Sequence, residues 1–236
     1  MKKGTIYLIP SVISPDTANQ VLSPQVVDVV KKTTVFLTET IRESRRFISS
    51  LKLGIDISSL QFEKVDKDTA DIETEKYLAP ALKGKNIGVL SDAGCPGVAD
   101  PGAQVVRIAH KLGLQVTPLV GPSSLLLALM ASGMNGQSFA FNGYLPIDTK
   151  EAAQKIKQFE KTSRSQNQTQ LFIETPYRSD RTLEILIKSL NPNSLLCLAK
   201  DITGTKEYIK TQPVNQWKSH KIIIGKEPTV FLFLAP

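Results

Sequence analysis

The segment GVLSDAGCPGVADPG, residues 88–102, combines two aspartates with four glycines and two prolines. Ser91 and Asp92 follow the apolar run IGVL, at the carboxyl end of a predicted strand, where open α/β sheets place their ligands. Glycine lets the backbone approach a ligand that a side chain would block. The segment therefore predicts a binding site. The alternative is that Asp92 and Asp100 only cap turns and the helix that begins near Ala103.

The glycine spacing argues against the common phosphate sites, because the segment contains neither G-x-G-x-x-G nor G-x-x-x-x-G-K-[ST]. Cys95 and Cys197 lie far apart, and the chain has only two histidines. This composition predicts neither a disulfide framework nor a metal site. Cys95 is interpreted as a small turn residue, since nothing in the sequence places a histidine beside it.

Apolar runs typical of buried strands alternate with segments of helical period, which predicts a parallel α/β architecture. In the first half, strands are expected at 5–9, 34–39, 85–92 and 114–121, and helices at 24–32, 39–53, 68–84 and 103–113. The helix at 68–84 has Asp68 or Thr69 available near its amino terminus.

The second half changes character, and a boundary near 120–122 predicts two α/β domains, 1–120 and 121–236. A buried helix is expected from Pro122, as a first-turn proline. Further strands are expected at 138–146, 171–176, 195–203 and 229–235, and a helix at 177–191. The polar run at 163–170 is interpreted as a flexible loop.

The chain has 29 Lys and Arg against 22 Asp and Glu, a formal charge of +7. Basic surface gains from phosphate contact, so a polyanion such as RNA is a candidate partner; a merely solvated surface is the alternative. No apolar run approaches the roughly 18 residues of a membrane span. Pro10 interrupts the apolar run after Lys2 and Lys3, which argues against a signal peptide and favours a cytoplasmic location.

Several segments together resemble the tetrapyrrole methylase superfamily. SDAGCPGVADPG is similar to its S-D-A-G-x-P-x-x-x-D-P-G segment, in particular in the branch of the small-subunit ribosomal RNA methyltransferase I, a 2'-O-ribose methylase. GTIYLIPS, TETIRESRRFI, LVGPSSLLLALMASGM, FAFNGYLP, LFIETPYRSDRTLE and LAKDIT resemble further segments of that branch in the same order.

The resemblance implies a class III S-adenosylmethionine (SAM) methyltransferase: two α/β domains with a ligand cleft between them, SAM as the cofactor, usually a homodimer, and ribosomal RNA or a ribosomal subunit as the partner. It also implies a set of cofactor-binding positions. These are Pro10, Ser91, Asp92, Ala93, Gly94, Pro96, Asp100, Gly121, Pro122, Ser123, Ser124, Phe141, Gly143, Tyr144, Leu145, Ala199 and Lys200.

A ribose hydroxyl is a weak acid, so a base should help to remove its proton. Asp92, Glu39 and Glu174 are the candidates, because each is an acid at or just after a predicted strand end. Guanidinium groups suit phosphate oxygens, and the candidates for RNA contact are Arg42, Arg45, Arg46 and Arg178. For residues 42–46 the alternative is a salt-bridged helix face.

The chain departs from the branch at four places. PSVISPDTANQVLSP lacks the Gly-Asn pair that follows strand one, and Thr40, Tyr177 and the pair Lys200-Asp201 replace motif residues. Two alternatives to an RNA methylase therefore stay open. One is a SAM-dependent methylase of a tetrapyrrole or other small acceptor, and the other is a non-catalytic factor that binds SAM or RNA.

Overall fold

The computed structural model describes residues 2–219 and 222–236, and the chain divides into two compact units. The amino-terminal unit ends at Ser123 and the carboxy-terminal unit begins at Ser124. This division falls close to the boundary that the sequence predicts between residues 120 and 121. Along 2–219 and 222–236, no helix is long and apolar enough to span a bilayer.

Five parallel strands form the sheet of the amino-terminal unit, in the order β3-β2-β4-β1-β5. They are β1 (Thr5–Ile9), β2 (Val35–Thr38), β3 (Gln61–Lys64), β4 (Ile87–Leu90) and β5 (Gln115–Pro118). The helices are α1 (Ala18–Val21), α2 (Pro24–Lys32), α3 (Ile41–Ser50), α4 (Asp71–Leu82) and α5 (Gly102–Lys111), with a 3-10 turn at Ile57–Ser59.

Both faces of this sheet are covered, as its near-continuous apolar strands require. Ile6 and Leu8 pack in the core under α4 and α5, whereas Tyr7 and Ile9 pack in the core on the opposite face. The alternation of successive side chains along a strand explains this division. The central strands β2 and β4 are buried at every position.

The carboxy-terminal unit has a mixed sheet in the order β6-β7-β10-β8-β9. Its strands are β6 (Phe139–Tyr144), β7 (Thr169–Glu174), β8 (Leu195–Lys200), β9 (Tyr208–Pro213) and β10 (Thr229–Leu234). Its helices are α6 (Ser124–Ser132), α7 (Thr149–Gln166), α8 (Ser179–Ser189) and α9 (Val214–Trp217). The expectation of parallel pairing is wrong here, because β10 lies antiparallel between β7 and β8, and β9 is antiparallel to β8.

Three local expectations are also wrong. The run at 163–170 is not a loop: α7 continues to Gln166, and β7 begins at Thr169. The polar composition of this run misleads because residues 164–167 face solvent while Ser163, Thr169 and Gln170 are buried. Ser163 Oγ accepts a hydrogen bond from the N–H of Ala235. The N-cap of α4 is Ala70, because Thr69 Oγ1 instead accepts from the N–H of Asp66.

The third expectation concerns Pro122, which precedes the first turn of the next helix instead of lying in it. That helix, α6, begins at Ser124, two residues later. The strands β3 and β9 were not expected from the sequence. Each lies at the edge of its sheet and is partly exposed, so it lacks the apolar run that marks a central strand.

Candidate functional site

The candidate site of the amino-terminal unit lies at the carboxyl ends of the neighbouring strands β2 and β4. β2 connects to its outer neighbour β3, whereas β4 connects across β1 to β5. The two connections therefore leave in opposite directions, which is the topological switch point where open α/β sheets bind ligands. Glu39 and Asp92 follow these two strand ends.

The loop after β4 is shaped by glycines in the left-handed region, Gly94 at φ +74° and Gly97 at φ +81°. The loop also contacts the end of β1. The N–H of Ser11 donates to Gly94 O at 2.9 Å, and Ser11 Oγ donates to Ser91 O at 3.1 Å. A residue with a side chain would be strained at either glycine, so the backbone path accounts for part of the glycine content.

The loop after β5 contacts both the end of β1 and the loop after β4. An added Cβ on Gly121 would lie 2.2 Å from both Cβ and Cγ of Pro10, so only glycine fits against this ring. Cys95 Sγ lies 3.3 Å from Pro122 O. The structure thus brings together the predicted cofactor positions of this unit, from Pro10 through the 91–100 loop to 121–123. That they bind a cofactor stays a prediction.

Asp92 joins β4 to α3. Its Oδ1 accepts from the N–H of Thr40 at 3.2 Å, and its Oδ2 accepts from Thr40 Oγ1 at 2.7 Å. The alternative that Asp92 and Asp100 only cap turns and the helix near Ala103 is not supported for the helix, because the N-cap of α5 is Pro101, which makes no side-chain capping hydrogen bond. Thr40 was not expected from the sequence to support the site. Its departure from the family motif was the available signal.

Two further acids beside Asp92 hold protons more tightly than usual. Burial raises the pKa of Asp100 to about 6, with smaller contributions from the charges of Glu39 and Asp92. Burial also raises the pKa of Glu39, helped by the negative charge of Asp92 and opposed by the Asp92 backbone N–H. Within residues 2–219 and 222–236, no Lys or Arg forms an ion pair with these three acids.

A buried hydroxyl group lies at the same edge of the sheet, at the end of β2. Thr38 is 1% exposed, and its Oγ1 has no hydrogen-bond partner among the parts of the chain that the structure describes. It lines a small pocket with Glu39, Ser91 and Asp100. A buried polar atom normally has a partner, so an unpaired one here is consistent with a ligand that supplies it. No sequence pattern singles out Thr38, because a threonine at the end of a buried strand is common.

Glu174 has a different environment from the other two base candidates. Its side chain is fully buried, and its Oε2 lies 2.9 Å from Arg178 Nη2 and accepts from Thr182 Oγ1 at 3.2 Å. Its Oε1 accepts from the N–H of Thr175 at 2.8 Å. A carboxylate engaged in this way is a structural anchor, so the geometry argues against Glu174 as a base.

The expectation that Arg178 contacts RNA phosphate is also disfavoured. Besides the ion pair, its Nη2 donates to the carbonyls of Leu145 and Pro146 at 3.1 and 3.0 Å. On α3, Arg46 pairs with Glu43 at 2.9 Å, which is the alternative of a salt-bridged helix face, and Arg45 lies over the Phe62 ring at 5.2 Å. Arg42 is exposed and stays a candidate.

The predicted cofactor positions of the carboxy-terminal unit lie near the ends of its strands and at one helix start. A bulge between Phe141 and Tyr144 shifts the pairing of β6 with β7, and Gly143 takes φ +66° there. β6, β7 and β8 run in the same direction, so their carboxyl ends share one edge of the sheet. The positions are Ser124 at the start of α6, Phe141, Gly143, Tyr144 and Leu145 at the end of β6, and Ala199 and Lys200 at the end of β8.

Comparison with known proteins agrees with this architecture. The solved structure of the methyltransferase CobJ matches with a TM-score of 0.65 at 19% identity, covering 98% of this chain and 94% of that one. At this identity the likeness concerns the fold alone.

Curated relatives share more sequence. A ribosomal RNA small subunit methyltransferase I of Vibrio cholerae is 28% identical over 193 residues, covering 82% of this chain and 64% of the relative. A protein of the same name from Escherichia coli O157:H7 is 27% identical over 214 residues, covering 91% of this chain and 71% of the relative. The chain thus spans about two thirds of the length of these relatives.

The family model for tetrapyrrole (corrin/porphyrin) methylases matches residues 17–217, which include the 91–102 loop, the 121–124 segment and the strands β2 to β9. The expected superfamily and the two-sheet α/β fold are confirmed by this match and by the solved structures. The chain belongs to the tetrapyrrole methylase family.

Proposed function

We propose that the protein is a SAM-dependent methyltransferase that methylates a ribose 2'-hydroxyl of small-subunit ribosomal RNA. One observation carries the proposal: three acids that form no ion pair within residues 2–219 and 222–236 lie at the switch point of a parallel sheet, and two of them have raised pKa values. Family membership supports methyl transfer, and the names of the curated relatives support ribosomal RNA as the acceptor.

The residues at this edge fit SAM. The loop at Gly94 and Gly97 presents backbone where a side chain would be strained, and among the described residues the Thr38 hydroxyl has no hydrogen-bond partner. Carboxylates suit a cation, and SAM carries a positive sulfonium whose methyl group is already electrophilic. In this proposal the 91–100 loop, Pro10 and the 121–123 segment of the amino-terminal unit hold the cofactor.

The chain's own acids would then accept the proton of the ribose hydroxyl. Glu39 is the preferred base in this proposal, because burial and the charge of Asp92 give it a higher proton affinity than an exposed carboxylate has. Asp92 is the second candidate, held in place by Thr40. The acceptor must also be positioned, and positioning alone can supply about 7 to 11 kcal/mol of a barrier.

Calorimetry with SAM tests the cofactor site, using Gly94→Val against Gly54→Val. Both glycines lie in the amino-terminal unit at nearly the same φ, +74° and +71°, so the two variants carry similar backbone strain. No atom lies within 4 Å of the Gly54 Cβ position, which makes it the matched control. We expect at least about tenfold weaker SAM binding for Gly94→Val only. Equal binding by both variants would exclude the loop.

Methyl transfer from radiolabelled SAM to unmodified small ribosomal subunits tests the acceptor. We expect label in the ribose of the RNA, and Glu39→Gln should lower the rate by about 100-fold or more while SAM binding persists. Label only in an added tetrapyrrole would favour the small-acceptor alternative, and SAM binding without turnover would favour the non-catalytic one. The homodimer and the cytoplasmic location belong to the same proposal, and light scattering checks the first.

A further inference from the structure

Tyr177 stands out among the exposed side chains, because 84% of its surface is in solvent just after the carboxyl end of β7. Ile223, in the loop before β10, is 82% exposed. Neither belongs to the edge of the amino-terminal sheet that carries Glu39, Asp92 and Asp100, which we call the acid edge. Both lie beside the strand ends of the carboxy-terminal sheet.

An ion pair and side-chain hydrogen bonds hold the two loops that present these side chains. Arg178, the next residue after Tyr177, is fixed by its ion pair with Glu174 and by two backbone carbonyls of the loop after β6. Asp180 holds the second loop: its Oδ1 accepts from the N–H of Ile224 at 2.7 Å and its Oδ2 from the N–H of Gly225 at 3.1 Å. These contacts hold the backbone on both sides of the exposed Tyr177 ring.

A cation completes the surface. Lys226 Nζ lies 5.8 Å from the centre of the Tyr177 ring, within the range of a cation–π contact. The contact leaves most of the ring in solvent. An aromatic face with an ammonium beside it matches one nucleotide, because bases stack on aromatic rings and the ammonium attracts the phosphate.

The charge of the unit favours the same partner. Residues 124–236 contain 14 Lys and Arg against 9 Asp and Glu, a formal charge of +5, whereas residues 1–123 contain 15 against 13, a charge of +2. Most of the chain's excess charge is thus in the unit that carries Tyr177. A polyanion gains from such a surface through counterion release.

We propose that Tyr177 and Lys226 form a contact for single-stranded RNA, in which an unpaired base stacks on the Tyr177 ring and Lys226 contacts a flanking phosphate. The proposal rests on the function proposed above and names part of its substrate recognition. It requires an unpaired nucleotide, because paired bases do not offer their faces to a side chain.

Fluorescence anisotropy with a labelled oligoadenylate of about 12 nucleotides tests the contact at low salt. Tyr177→Ala should weaken binding about tenfold, whereas Tyr177→Phe, which keeps the ring, should stay within about twofold. Lys226→Gln should weaken binding less and reduce the salt dependence by about one charge. Ile72→Ala removes a 66% exposed side chain from the other unit and is the control.

Three outcomes would overturn the proposal: no binding of the oligonucleotide by the parent protein, equal affinities for Tyr177→Ala and Tyr177→Phe, or the same loss with an RNA duplex as with the single strand. SAM calorimetry on the same variants separates this proposal from the proposed function. Unchanged RNA affinity in Tyr177→Ala with intact SAM binding rejects the contact alone. A parent protein that neither binds nor uses SAM rejects the methyltransferase function, whatever the oligonucleotide shows.

Discussion

Glu39 and Glu174 occupy similar places in the two sheets, yet their surroundings differ. Glu39 follows the end of β2, forms no ion pair within residues 2–219 and 222–236, and has a raised pKa. Glu174 ends β7 and is fully buried against Arg178, with two further hydrogen-bond donors. Within the described residues the carboxylate of Glu39 is free of ion pairs, whereas the carboxylate of Glu174 is engaged in contacts that hold the fold.

The difference shows that the position of an acid at a strand end does not determine its role. A carboxylate with a raised pKa opposes folding where it is ionised, whereas a paired one stabilises the folded state. The amino-terminal unit therefore gives up stability at its acid edge, as functional sites commonly do. The carboxy-terminal unit uses its acid to fix the loops around Arg178.

The largest expected effect comes from Glu174→Gln. The substitution leaves the partly buried Arg178 without its counter-charge, and we expect a loss of about 2 to 3 kcal/mol in the free energy of unfolding. Glu184→Gln breaks an exposed pair with Lys188 and should lose no more than about 0.5 kcal/mol. Urea denaturation measures both. Similar losses would mean that the pairing of Glu174 with Arg178 stabilises the fold no more than an exposed pair does, and that Glu174 is not an anchor.

Asp100→Asn should act in the opposite direction and stabilise the protein by up to about 1 kcal/mol near pH 7, a value reduced for the half-exposed state of the group. The pKa of Asp100 is raised from 3.8 to about 6, so the folded state holds this proton to higher pH than the unfolded state does. Stability is therefore lost as pH rises through this window, and the asparagine variant avoids that loss.

Urea denaturation at both ends of the window checks the sign. The advantage of Asp100→Asn should vanish at about pH 3, below both pKa values, where the acid is largely protonated in both states. Asp71 provides the contrast, because its contact with Arg107 lowers its pKa, so Asp71→Asn should destabilise near neutral pH. A destabilised Asp100→Asn would show that this acid supports the fold.

The smallest effect is expected from Thr40→Val, which removes the hydroxyl that donates to Asp92 at 2.7 Å. The bond is exposed, so we expect a loss of no more than about 1 kcal/mol in unfolding free energy. Thr40→Ser keeps the donor and should recover most of the loss. If Val and Ser behave identically, the hydroxyl does not hold Asp92, and the contrast between available and anchored acids weakens.

The acid edge could be predicted from sequence to the level of its loop. Ser91, Asp92 and the glycines follow a strong apolar run, and strand polarity places such a loop at the carboxyl edge of a parallel sheet. Their partners could not be predicted in this way. Contacts such as Thr40 with Asp92 join residues that are distant in the chain, and no local pattern encodes them.

The fold of the second unit was harder to predict for a related reason. The antiparallel position of β10 depends on the return path of the chain after β9, and β9 itself is a polar edge strand without a clear period. The roles of Glu174 and Arg178 likewise depend on a pairing that their spacing allows but does not require. The resemblance gave the two-domain plan, and the structure supplied these contacts.

The close approach of Gly121 to Pro10 has an evolutionary consequence. Because a Cβ at position 121 would overlap the proline ring, any larger residue there needs a change at position 10 first or at the same time. The two positions, more than a hundred residues apart in the chain, are expected to vary together among descendants of this protein. A larger residue at position 121 is therefore expected only after, or together with, a substitution of Pro10.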